Sequence, residues 1–176
     1  MSSLAPLAVA IPLLVAAVLV GASPVIGRRA ADLTAIITAA GVTGLCAVMA
    51  GGSATSGLVV YWFGGFEPSH GVALGIAFAV DPLGAGLATL IGVLMLAALI
   101  FSWAHVETAG GPFNALMLVF LGAMVGFCLS GDLFNMFVFF ELLGVAAIAL
   151  TGYKADERAP LQGSLNFAIT AGVGAF

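Results

Sequence analysis

Charge is what this sequence has least of. Of 176 residues, 7% are charged and 62% are hydrophobic. A soluble domain carries about a quarter charged residues. The shortage excludes a water-soluble globule and reads as a polytopic membrane protein. Basic residues are scarce even within that small set: four Lys and Arg against eight Asp and Glu, a net charge of −4. No basic tract exists, which argues against nucleic acid as a partner. Cysteine is limited to Cys46 and Cys128. They have no CxxC spacing and no nearby histidine, so they point to neither a metal nor a redox centre and read as small apolar packing residues. A phosphate-cradling glycine loop, a histidine pair for haem and a nucleophile–base pair are also missing, so no cofactor is expected. Nothing basic precedes the first apolar run, MSSLAPLAVAIPLLVAAVLV. A secretory signal usually has such a residue, and the run reads instead as a retained first helix.

What is abundant is apolar length. A membrane-crossing helix needs about 20 mostly apolar residues. Five segments qualify: Leu4–Pro24, Ala30–Ala50, Pro82–Ala104, Pro112–Ser130 and Leu133–Thr151. A sixth begins near Gln162 and meets the last residue, Phe176, after 15 residues. That is too short for a ~30 Å core, so the chain is expected to be the N-terminal part of something longer. All four basic residues fall between spans one and two (Arg28, Arg29) or between spans five and six (Lys154, Arg158). Those two connections share a side. The positive-inside rule puts that side in the cytoplasm and the N-terminus outside. Trp103 and Tyr153 then fall at cytoplasmic span ends, where interfacial aromatics belong. The many glycines suit close helix approach.

The connection from Gly51 to Asp81 is long and lies on the outer side. Its apolar stretch GVALGIAFAV is too short to span as a helix and suits a short strand pair or an interfacial segment. Asp81-Pro82 reads as a helix start, with Asp as N-cap and Pro in the first helical position. Asp132 reads as a second N-cap, for span five.

Within GDLFNMFVFFELLG, residues 131–144, stands one carboxylate at depth, Glu141. It lies nine residues past Asp132, about 13.5 Å along a helix, and ten before Thr151, about 15 Å. That is near the midplane of the span. A central acidic residue costs roughly 2.5–3.5 kcal/mol even on the mild insertion scale. No mid-membrane Lys or Arg in the sequence offsets this. Glu141 is therefore protonated, or faces a hydrated cavity, or pairs with a group outside these residues. A carboxyl kept from water can titrate near or above neutral pH, which suits a proton carrier. The competing reading is a protonated Glu bonding a neighbouring helix. The surrounding helix face is Phe134, Phe137, Val138, Gly144, Val145 and Ile148, with Gly144 leaving room beside the carboxylate.

Other polar residues carry two readings each. Asn135 either bonds between helices or lines an entry path to Glu141. His105 and Glu107, just past span three, either pass protons from water or form a solvated interfacial pair. Lys154, Asp156, Glu157 and Arg158 read as a solvated loop. Asn166 and Thr170, one helical step apart, allow a polar stripe on the last segment.

The stretch GDLFNMFVFFELLGVAAIALTGYK resembles the fifth-helix motif of antiporter-like subunits, the family shared by Mrp-type sodium/proton antiporters, complex I and membrane-bound hydrogenases. WFGGFEPSHGVALGIAFAVDPLGAGLATL resembles that family's outer loop, hairpin and third helix, and LQGSLNFAITAGVGAF the start of its sixth. The resemblance implies an all-α fold of about fourteen helices with inverted repeats, of which this chain holds the N-terminal part. It identifies Glu141 as the helix-five glutamate that pairs with a lysine on helix seven, a helix these residues do not include. Where some relatives have a lysine early in helix six, this sequence reads Ser164, Leu165, Asn166.

The expected function is that of a proton-translocating subunit of a multisubunit inner-membrane complex, with Na+ as the candidate exchange ion. Its partners are the lipid bilayer and other membrane subunits. Two alternatives stand beside it: a coupling subunit of an NADH-quinone oxidoreductase or membrane-bound hydrogenase complex with no redox centre of its own, and a purely structural membrane scaffold.

Overall fold

The computed structural model describes residues 4–66, 68, 75–105 and 110–175. Glu107 and the side chain of His105 lie outside that description, as do residues 71–74 of the short apolar stretch.

Six helices and one hairpin make up the described fold. α1 is Leu4–Gly21 and α2 is Arg28–Ser56. β1 (Val59–Trp62) and β2 (Ala77–Val80) follow, then α3 (Pro82–His105), α4 (Gly111–Leu129), α5 (Leu133–Thr151) and α6 (Arg158–Ala175). The first five helices are long and apolar enough to cross a membrane. The protein is a multi-pass membrane protein.

Several ends differ from the sequence expectation. α2 runs six residues past Ala50, because GGSATS offers no steric reason to stop. It ends where Gly57 takes φ +75°, a conformation other residues rarely adopt, and donates its N–H to Ser53 O at 2.8 Å. α6 starts at Arg158 rather than near Gln162. Pro160 then sits in its first turn, where no N–H is needed. α1 stops at Gly21, short of Pro24.

The hairpin is antiparallel, in the register Val59↔Val80, Val60↔Ala79, Tyr61↔Phe78 and Trp62↔Ala77. It lies within the long connection 51–81. It is bound to the bundle as well as to itself. Gly131 N donates to Ala77 O at 2.8 Å, and Phe78 bridges to Ser130.

The core sits among α1 to α4. α4 is the central helix, packed against α1, α2, α3 and α5. Half of its spanning window (50%) is buried, against 17% for α5. Leu118, Leu121, Val125 and Leu129 of α4 meet Leu19 of α1 and Val42, Cys46 and Met49 of α2 in that core. Small residues set the close approaches. A Cβ at Gly92 would run into Thr43, and a Cβ at Gly126 would run into the Phe139 ring. α6 packs mainly on α5, at the edge of the bundle.

Candidate functional site

The geometry around Glu141 begins nine residues earlier. Asp132 caps α5: its Oδ1 accepts from Asn135 N at 2.7 Å. Its Oδ2 accepts from Ala77 N at 3.1 Å. One carboxylate thus satisfies the first turn of α5 and a strand of the hairpin together. Asp81 is the simpler case, its Oδ1 accepting from Gly84 N at 2.8 Å at the start of α3.

One turn on from Asn135, Phe139 is buried against the notch at Gly126 of α4. That contact sets which way α5 faces. Glu141, two residues further, is turned about 200° from Phe139. It points away from α4 into a cleft of about 110 Å³ between α5 and α6. Gly144 and Ile148 of α5 line the cleft with Ala168, Ala171 and Gly172 of α6. A Cβ at Gly144 would meet nothing within 4 Å. Glu141 is exposed, and no hydrogen bond or ion pair reaches it from the described residues. Phe134, Phe137, Val138 and Val145 around it are exposed too. This face of α5 is open, in an otherwise apolar setting.

Asn135 is not part of that cleft. It is buried and lines a different groove, against α1 and the hairpin. Asn166 and Thr170 are exposed, and the Thr170 hydroxyl donates back to Asn166 O at 2.9 Å. Lys154 and Glu157 lie 3.7 Å apart on the surface. His105 ends α3, at the opposite end from the hairpin.

A polar centre absent from the sequence expectation lies at that same end. Asp32 of α2 is 4% exposed. Its Oδ1 accepts from Asn114 Nδ2 of α4 at 2.6 Å, and its Oδ2 lies 3.6 Å from Arg28 Nε. Arg28 Nη2 in turn donates to Trp103 O, near the end of α3, at 3.4 Å. The buried carboxylate joins α2 to α4, and Arg28 extends the link to α3. The signal was there in half: Arg28 and Asp32 stand at i,i+4 spacing, but Asn114 is 82 residues away.

Three relatives are similar to this chain in sequence. Over 138 residues, 76% of the chain, it is 30% identical to NAD(P)H-quinone oxidoreductase subunit 2 of Prochlorococcus marinus, covering 26% of that protein. Over 97 residues, 53% of the chain, it is 35% identical to an NADH-quinone oxidoreductase subunit of Desulforudis audaxviator, covering 19% of it. Over 101 residues, 57% of the chain, it is 37% identical to a probable K(+)/H(+) antiporter subunit of Rhizobium meliloti, covering 18% of it. The chain's homologues are antiporter-like membrane subunits. No protein-family model matches the chain. A chain of the membrane-bound sulfane sulfur reductase, an archaeal respiratory membrane complex, superposes with a TM-score of 0.86 at 22% identity. The overlap covers 97% of this chain and 34% of that one, which shows that the fold is shared. The matches to the curated relatives span between 18% and 26% of their length.

Proposed function

We propose that this antiporter-like chain forms part of a proton-translocating subunit in a multisubunit complex of the cell's inner membrane. Glu141 is the group that takes up and releases the proton. The N-terminus lies outside, and Arg28, Arg29, Lys154 and Arg158 lie on the cytoplasmic side. The observation that carries the reading is the setting of Glu141: the ninth of the 19 residues of α5, turned from the packed core into an open cleft beside Gly144. An ionisable group at membrane depth is costly and is retained where it works. The cation that balances its charge comes from outside these residues, as helix seven supplies it in the family the sequence resembles. Na+ is the candidate ion exchanged for the proton. His105 is the candidate group for exchanging protons with the cytoplasm, and Asn135 acts elsewhere.

The test is proton flux in proteoliposomes holding the full-length protein with its partner subunits. Glu141→Gln keeps the shape and loses the charge. Flux should fall at least about tenfold while the complex assembles in normal amount. Unchanged flux would remove Glu141 from the path.

A second reading follows from the relatives named as quinone oxidoreductase subunits. Here the chain couples to electron transfer carried by other subunits. Glu141 behaves identically in both readings. Flux driven by a redox donor in the purified complex favours the second, and flux driven only by an ion gradient favours the first.

A further inference from the structure

At the hairpin end of the bundle, α1, the hairpin and α5 enclose an apolar groove of about 220 Å³. Pro6, Val9, Ala10 and Leu13 supply one face of α1, at spacings of three and four residues. Phe78 closes the hairpin side and Phe139 the floor. One polar side chain enters this lining. Asn135 is 6% exposed, and its Nδ2 has no hydrogen-bond partner among the described residues. A buried amide donor in an apolar setting is costly unless an acceptor reaches it. Water is a poor occupant, because a buried water needs two to four polar partners and the lining offers one.

We propose that the groove holds an acyl chain of a membrane phospholipid, with the ester carbonyl of that chain accepting from Asn135 Nδ2. The placement matches such a ligand in three respects. Asn135 is the third residue of α5, one turn below the hairpin, and so at the level where headgroup gives way to hydrocarbon. The groove continues from Pro6 to Leu13, roughly 10 Å down α1, along the direction of a lipid chain. Its lining is apolar throughout that length, as a methylene chain requires.

The test compares two lipids on the delipidated full-length protein by native mass spectrometry. One is dioleoyl phosphatidylglycerol. The other is its diether analogue, which has the same chains and headgroup and no ester carbonyl. The ester lipid should bind about tenfold more tightly, the factor one net hydrogen bond supplies. Asn135→Leu should abolish that preference. Ala10→Phe, which fills the groove from α1, should weaken both lipids. Equal binding of ester and ether lipid to the unaltered protein would overturn the proposal. So would a preference that survives Asn135→Leu. If the leucine variant fails to fold, the comparison on the unaltered protein decides alone. An acceptor supplied by the chain itself or by another subunit would show up as that same equality.

Discussion

Two carboxylates, Asp32 and Glu141, sit on membrane-spanning helices and are treated in opposite ways. Asp32 is buried, held by Asn114 at 2.6 Å and faced by Arg28 at 3.6 Å. Glu141 is exposed to an open cleft and paired with nothing among the described residues. The first has its charge balanced inside the bundle and joins α2 to α4, with Arg28 reaching on to α3. The second has no partner among the described residues and lies on the face of α5 that the first four helices do not cover. The difference separates the carboxylate that builds the bundle from the one available for chemistry.

The substitutions that test this contrast run from large effects to small. Glu141→Gln should cut proton flux at least about tenfold with assembly intact, since Glu141 is the proposed proton-carrying group. Asn114→Ala should do the reverse. It strips a buried carboxylate of a hydrogen bond worth about 1.5–3 kcal/mol. Thermal unfolding of the purified protein should shift down, while flux per folded molecule stays normal. If Asn114→Ala lowers flux without lowering stability, the two carboxylates are not separated as described. Gly126→Ala drives a methyl into the Phe139 ring and should cost about 1–3 kcal/mol, read by the same unfolding measurement. Flux should fall as well, because the bearing of Glu141 depends on that notch. Lys154→Ala, at an exposed pair 3.7 Å apart, should change stability by less than about 1 kcal/mol.

The helices were legible because hydrophobic length is a local property. Span three starts at Pro82 and span five runs from Leu133 to Thr151, as the capping residues indicate. The caps themselves, Asp81 and Asp132, could be assigned from position alone. The second bond of Asp132, to Ala77, could not, since it depends on where a strand 55 residues earlier comes to rest. Asp32 was missed for the same reason. Beside Arg28 it resembles an exposed i,i+4 pair, and only the approach of α4 makes it a buried one. Glu141 stands out as a candidate in the sequence because a carboxylate in that run has no inexpensive structural reading. The direction it faces came only with the packing of Phe139.

That packing has a mechanical consequence. α5 is pinned at its start, where Asp132 holds both its own first turn and the hairpin, and it is wedged two turns later by Phe139 in the Gly126 notch. A rod fixed at two points cannot spin about its long axis without unseating one of them. If Glu141 carries the proton as proposed, the proton is passed on by rotation of its own side-chain bonds, a matter of picoseconds to nanoseconds for an exposed group, rather than by turning of a whole helix, which takes microseconds or longer. On that proposal, the step that limits transport is to be sought in the group that meets Glu141 across the cleft, and not in the helix that carries it.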